Sequence, residues 1–114
     1  TPLIGLKSTI SQDGRDPVTH GFPIRMSAMI STLDGAVYVE RVTVDSPANV
    51  RKAKTAIRKA FEVQKAGLGF SMVEVLSTCP TNWGMTPVDS LQWLRDNMIP
   101  FYPLGNFKQI EEGK

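Results

Sequence analysis

The spacing of apolar and polar residues predicts two strands with a long helix between them. Residues 36–44 and 69–76 are rich in β-branched side chains with partial alternation, which is typical of half-buried strands. Residues 48–66 carry apolar side chains at helical spacing, and Ser46 before them and Gly67 after them fit the two ends of a helix. A strand, a helix and a strand joined by short turns predict a right-handed βαβ crossover with parallel strands.

Shorter elements are predicted on either side of this unit. Pro23 opens a helical pattern that reaches Leu33, and Thr86 caps another helix that Pro100 is expected to end. The chain beyond it should be extended and then, in residues 106–114, form a charged tail. The fold class is therefore α/β. Because about two good strands are too few for a self-sufficient sheet, we interpret the chain as a piece of a larger domain.

Composition excludes several classes of protein. The net charge of +2 is too small to imply nucleic acid as a partner. No apolar run approaches the roughly 20 residues that a membrane-spanning helix needs, so we expect no membrane association. A single cysteine excludes an internal disulfide and favours a reducing compartment, so we expect a cytoplasmic protein.

The long helix has an apolar stripe and a basic face. The stripe, predicted to face a sheet, consists of Val50, Ala53, Ile57, Ala60, Phe61 and Gln64. The basic residues lie largely outside it and are Arg51, Lys52, Lys54, Arg58, Lys59 and Lys65. Such a face is usually only solvated, although it can also steer an acidic partner.

Residues 1–22 predict a long irregular loop, which in a compact domain is usually functional or disordered. The loop could present cationic and hydroxyl donors to an anion from Lys7, Ser8, Thr9, Arg15 and His20. The alternative is a solvated loop with incidental charges. His20 is the single histidine and has no partner at metal-ligand spacing, so a structural hydrogen bond is its simpler role.

Cys79 directly follows the second predicted strand and has three possible roles. As a nucleophile it would need a base, and nothing in the sequence places His20 nearby. As a metal or cluster ligand it would need partners from outside this chain. Free cysteine is among the most buried residue types, so the chemistry of the residues alone favours a thiol in the core.

Residues 73–87, which read VEVLSTCPTNWGMTP, closely resemble the β subunit of 2-oxoacid:ferredoxin oxidoreductases. The helix at 49–64 also resembles this family, and so do the short strings LIGLKST, GRD, HGFPI, NMIP and YPLG. These enzymes use thiamine diphosphate and coenzyme A to decarboxylate a 2-oxoacid oxidatively to an acyl-CoA in anaerobic metabolism. The resemblance covers essentially the whole chain and implies an oxidoreductase.

The resemblance also implies a fold and a site. The chain would be the C-terminal portion of a thiamine-diphosphate-binding domain, with residues 1–22 as a cofactor-proximal loop, 23–105 as an α/β part that contains the parallel βαβ portion, and 106–114 as a tail. Cys79 would be one of four cysteines that hold a [4Fe–4S] cluster. The loop residues Lys7, Ser8 and Thr9 would lie beside the cofactor's diphosphate, although no family motif assigns them individually.

The resemblance further implies cofactors and partners. The diphosphate and Mg²⁺ motif and the other three cysteines belong to the preceding part of the family's subunit, so we expect this chain alone to be inactive. The implied partners are an α subunit, further γ or δ subunits, ferredoxin, coenzyme A and a 2-oxoacid of the 2-oxoglutarate or branched-chain 2-oxoisovalerate type.

Two functions from other classes stay open. A non-catalytic interaction module would use the basic helix at 48–66 to dock on an acidic partner. A thiol-redox protein would use Cys79, which would then need an exposed thiol of low pKa.

Overall fold

The computed structural model describes residues 3–9 and 11–109, which divide into two compact units. One unit combines the described residues up to Arg25 with residues 78–102, and the other combines residues 26–77 with 103–109. The elements in chain order are α1 (Pro17–His20), α2 (Met26–Ile30), β1 (Ala36–Thr43), α3 (Pro47–Lys65), β2 (Phe70–Leu76), α4 (Pro80–Trp83), α5 (Pro87–Trp93), a π-helical turn (Leu94–Met98), α6 (Ile99–Phe101) and β3 (Gly105–Gln109).

The sheet of the second unit has the strand order β2-β1-β3. Strands β1 and β2 are parallel, with Val42 opposite Val75, and α3 connects them. Strand β3 pairs with the other side of β1 in the antiparallel direction, with Arg41 opposite Gly105. The predicted α/β class and the parallel βαβ unit are therefore confirmed.

Helix α3 packs on one face of this sheet through small side chains. Ser46 caps the helix by accepting a hydrogen bond from the N–H of Asn49 at 3.2 Å. Ala53 and Ala56 are buried against Val42 of β1, with the half-buried Val73 of β2 beside them. Alanine at these positions lets the helix approach the strands closely, and this contact forms the core of the unit.

The predicted apolar stripe of α3 is partly wrong. Ala53 is buried as expected, but Ile57 and Phe61 are 42% and 66% exposed, and the other buried residues of the helix are Ala56 and Val63. The reason is that the small sheet covers a narrow line along α3. Ile57 and Phe61 lie beside that line and border a shallow groove with Ser71 and Val73 of β2, the edge strand.

Two predictions about the C-terminal part of the chain are also wrong. Pro100 does not end the helical region, because it lies in the first turn of α6, where its missing N–H is not needed, and the chain stays helical to Phe101. Strand β3 occupies residues 105–109, most of which the sequence predicts to be a charged tail. Residues 110–114 of that tail, like 1, 2 and 10 of the N-terminal loop, lie outside the described residues.

The first unit contains the single-turn helices α1 and α4 and a continuous helical stretch from Pro87 to Phe101. Its buried side chains are Leu6, Ser90, Leu94, Met98 and Tyr102. Among its aromatic residues, Trp83 and Trp93 lie 5.1 Å apart between ring centroids, and the guanidinium of Arg25 lies 3.9 Å above the ring of Phe101. In the part of the chain that the structure describes, no helix combines the length and apolarity needed to cross a membrane.

Candidate functional site

The loop that precedes α1 is held in shape by its own main chain. The N–H of Gly5 donates to the carbonyl of Arg15 at 2.9 Å, and the N–H of Arg15 donates to the carbonyl of Leu6 at 3.2 Å. Gly14 has φ +91°, and a Cβ added there would lie 2.8 Å from the carbonyl oxygen of Gly5. Only glycine allows this close approach, so the described part of the loop has a defined backbone, although most of its side chains are exposed to solvent.

Lys7, Ser8 and Thr9 follow this part of the loop and line one groove. Ser8 and Ser11 exchange main-chain hydrogen bonds at 3.1 and 3.2 Å, so their main chains are paired. The groove has a volume of about 310 Å³ and is open to solvent. Its walls are Lys7, Ser8, Thr9 and Gln12 on one side and residues 81–84 on the other. The structure therefore brings the predicted loop residues to the chain segment that directly follows Cys79.

Asn82 joins these two walls. Its side-chain oxygen accepts hydrogen bonds from the main-chain N–H of Thr9, at 3.2 Å, and from the Thr9 hydroxyl. Its main-chain carbonyl accepts from the same N–H at 3.1 Å. Both donors of Thr9 are thus directed to one residue, whereas no hydrogen bond of the Lys7 ammonium or the Ser8 hydroxyl is found among the described residues. Lys7 and Ser8 are therefore loop donors that remain available to a ligand.

Cys79 is exposed and lies immediately before α4. Its carbonyl accepts the N–H of Trp83 at 2.9 Å, Pro80 opens the single helical turn, and Gly84 ends it with φ +70°. The expectation from residue chemistry that this thiol is buried is therefore wrong. The thiol belongs to a turn rather than to β2, which ends three residues earlier, and a turn of this kind offers no apolar core to bury it.

A metal site cannot be completed from this chain's described residues alone. Among residues 3–9 and 11–109, no group of three or more histidine, cysteine, aspartate or glutamate side chains is arranged to hold a metal ion. Cys79 is accordingly at most a single ligand to a metal centre whose other ligands come from elsewhere.

Two other loop candidates serve the structure. Arg15 donates from Nε to the carbonyl of Gly21 at 3.0 Å and from one terminal nitrogen to the carbonyls of His20 and Phe22 at 3.0 and 3.3 Å. His20 accepts the main-chain N–H of Asp16 at its Nδ1, 3.2 Å away. Arg15 is thus committed to main-chain oxygens, and His20 makes the structural hydrogen bond that its isolation in the sequence favoured.

The second unit contains a polar network that the sequence did not reveal. Arg41 of β1 is 1% exposed, and its Nε lies 3.2 Å from Oε1 of Glu74 in the middle of β2. The other oxygen of Glu74 accepts from the N–H and the hydroxyl of Ser27 at 3.2 and 2.7 Å, which ties α2 to the sheet. A second nitrogen of Arg41 donates to the carbonyl of Pro103 at 3.1 Å, and its guanidinium lies 4.8 Å from the ring of Phe107.

A larger cleft in the second unit contains none of the predicted site residues. Its volume is about 480 Å³, and it is lined by residues 40–43 of β1, by Asn49, Lys52 and Thr55 of α3 and by Leu104 and Gly105. The groove at Lys7 and Ser8, although smaller, remains the candidate site, because it joins the predicted loop to the turn of Cys79.

Comparison with known proteins places the chain beside subunits of enzymes that are named for 2-oxoacids. It is 38% identical over 108 residues to the ketoisovalerate oxidoreductase subunit VorA of Methanothermobacter marburgensis, and 36% identical over 108 residues to the VorA of Methanothermobacter thermautotrophicus. Both alignments cover 95% of this chain and 23% of the relative. The 2-oxoglutarate synthase subunit KorB of Archaeoglobus fulgidus is 37% identical over 70 residues, which are 61% of this chain and 24% of that subunit.

The chain is therefore a homologue of part of these subunits, and it spans about a quarter of their length. No family model matches the chain, and no solved structure matches it.

Proposed function

We propose that this chain is part of the thiamine-diphosphate-binding β subunit of a 2-oxoacid:ferredoxin oxidoreductase. The similarity to VorA over 95% of the chain carries this proposal. It is supported by the stretch from Val73 to Pro87, which resembles that subunit, and by the exposure of Cys79 within it. The names of the relatives favour a branched-chain 2-oxoacid or 2-oxoglutarate as the substrate.

The groove beside Lys7 suits the diphosphate of such a cofactor. A diphosphate needs cationic and hydroxyl donors, and the Lys7 ammonium and Ser8 hydroxyl border the groove without other hydrogen bonds among the described residues. Thr9 contributes by holding the loop, since both of its donors are directed to Asn82. We propose that the Mg²⁺ ligands lie in the preceding part of the subunit, as the family resemblance implies.

Cys79 is suited to be a cluster ligand because its thiol is exposed, which a buried thiol would not be. Its exposure allows a thiolate to meet three ligands from other parts of the polypeptide, and main-chain N–H groups of a turn can tune a cluster by hydrogen bonding to sulfur. When bound, thiamine diphosphate supplies the decarboxylation and the [4Fe–4S] cluster supplies one-electron transfer to ferredoxin. The chain alone supplies one thiolate and should be inactive.

The decisive variant is Cys79→Ala in the intact protein, purified without oxygen. Loss of one of four thiolates should remove most of the bound iron or convert the cluster to a three-iron form, and ferredoxin reduction should fall at least tenfold. Iron content and the electron paramagnetic resonance spectrum of the reduced protein measure the first effect directly.

Thr81→Ala is the matched control, because Thr81 is exposed in the same turn and has no thiol. It should keep the iron content and the spectrum of the unaltered protein. Unchanged iron and unchanged reduction of ferredoxin in Cys79→Ala would refute the assignment of Cys79 as a ligand.

A second candidate function is a non-catalytic interaction module, and the exposure of the basic residues on α3 favours it. Arg51, Lys54, Arg58 and Lys65 are all exposed and form no ion pair with any residue that the structure describes. A module of this kind would bind an acidic protein without cofactor, so an acidic partner that binds the iron-free protein at full affinity would favour it over the enzyme subunit.

A further inference from the structure

The hydrogen bonds between Asn82 and Thr9 connect two segments that are 73 residues apart in the sequence. Thr9 is the last of the three loop residues that border the groove, and Asn82 lies in the same helical turn that begins after Cys79. The main-chain bond from Trp83 to Cys79 spans that turn. A displacement of Asn82 would therefore move both the groove wall and the turn of the thiol.

We propose that Asn82 is a positioning residue that fixes Lys7 and Ser8 beside the groove and couples binding in the groove to the turn of Cys79. The inference rests on the proposed role of the groove as a diphosphate site. Since the Lys7 and Ser8 side chains make no hydrogen bonds among the described residues, their positions depend on the main chain on either side. That main chain is fixed by the hydrogen bonds between Ser8 and Ser11 and by the contact of Thr9 with Asn82.

The chemistry of the asparagine side chain explains why this residue suits the position. Its oxygen accepts both donors of Thr9, as a carboxylate also would, but it brings no negative charge to a groove that should bind an anion. Alanine would leave only the main-chain carbonyl as an acceptor. Asn82→Asp should consequently keep the contact with Thr9 and still weaken the binding of an anion.

The test is a double-mutant cycle between Thr9→Val and Asn82→Ala in the intact protein, with inorganic pyrophosphate as the probe. Trp83 lines the groove, so its fluorescence reports binding. A hydrogen bond of this kind makes a modest net contribution to free energy. Asn82→Ala should therefore raise the dissociation constant for pyrophosphate roughly 3- to 10-fold. Thr9→Val should raise it less, and it should add nothing once Asn82 is alanine.

Gln12→Ala is the matched control, because Gln12 is another amide on the groove wall that makes no hydrogen bond with Thr9. Its effect should add to that of Thr9→Val. If the losses of pyrophosphate affinity caused by Asn82→Ala and Thr9→Val are additive, as they should be for the control pair, the inference is overturned.

A second readout works without any ligand in the groove. The rate at which iodoacetamide alkylates Cys79, followed by mass spectrometry after removal of iron, should rise about 2- to 5-fold in Asn82→Ala, again without a further rise on adding Thr9→Val. If Asn82→Ala raises the alkylation rate but the unaltered protein binds no pyrophosphate, the diphosphate site is rejected. The coupling between Asn82 and the turn of Cys79 is then kept. Pyrophosphate binding with an alkylation rate unchanged by Asn82→Ala would keep the site and reject the coupling to Cys79.

Discussion

Tyr38 has a pKa raised from 10.0 to about 12. The main cause is burial of its ring in β1, where it is 3% exposed, and the charge of Glu40 and a hydrogen bond to that carboxylate add to the effect. The folded state therefore holds the phenol proton over a pH range in which the unfolded chain releases it.

This difference predicts how stability depends on pH. The contribution of Tyr38 should be fully present below about pH 10 and should be lost as the pH rises toward 12, at up to about 1.4 kcal/mol per pH unit. Tyr38→Phe has no proton to lose. The stability gap, defined as the unfolding free energy of the unaltered protein minus that of Tyr38→Phe, should therefore fall by about 2–3 kcal/mol over that range. Urea unfolding at pH 9 to 12 measures the gap, and a gap independent of pH would contradict the assignment.

Single residues were also where the sequence predicted least. The exposure of Cys79 depends on where β2 ends and on the helical turn that follows, and neither can be inferred from the burial preference of cysteine. Residue type makes Lys7, Ser8 and Thr9 candidate anion donors among several in the loop, and only the family resemblance singles them out. Asn82 carried no signal of its own, because its partner is distant in the sequence and any turn beginning with proline can contain an asparagine.

At the scale of elements, strong periodicity was the most reliable guide. Strands β1 and β2 and helix α3 begin and end within one residue of the predicted bounds, because β-branched runs and clear helix ends point to the same answer. Strand β3 was missed because Gly-Asn-Phe-Lys-Gln has no alternation of apolar and polar residues. Its main-chain pairing with β1 and the contact between Arg41 and Phe107 stabilise it instead, and both depend on tertiary structure.

Glu74 ties three elements of the second unit together and yields a prediction at this scale. Glu74→Gln should lower the unfolding free energy by about 2–4 kcal/mol, since it leaves the buried guanidinium of Arg41 without its carboxylate. Glu62→Gln is the control, because Glu62 is exposed on α3, and it should change the unfolding free energy by less than about 0.5 kcal/mol. Equal effects of the two variants in urea unfolding would show that the ion pair contributes little.

At the scale of the whole molecule, the basic residues of α3 separate into two stripes. Arg51, Lys54, Arg58 and Lys65 lie on the side of the helix away from the buried residues Ala53 and Ala56. Lys52 borders the larger cleft, and Lys59 is half-buried. If the intact protein docks an acidic partner, as proposed above, we expect this outward stripe to be the surface that the partner meets.

A pair of charge reversals separates docking on this stripe from general attraction. Lys54→Glu with Arg58→Glu should slow the association of ferredoxin with the intact protein roughly tenfold at low salt, because it reverses the field where the acidic partner would bind. Lys52→Glu with Lys59→Glu changes the net charge by the same amount on the other stripe and should have a clearly smaller effect. Stopped-flow association rates from about 0.01 to 0.5 M salt should converge for all three proteins, since screening removes the field. Equal slowing by the two pairs would mean that ferredoxin responds only to net charge and that the outward stripe is not its docking surface.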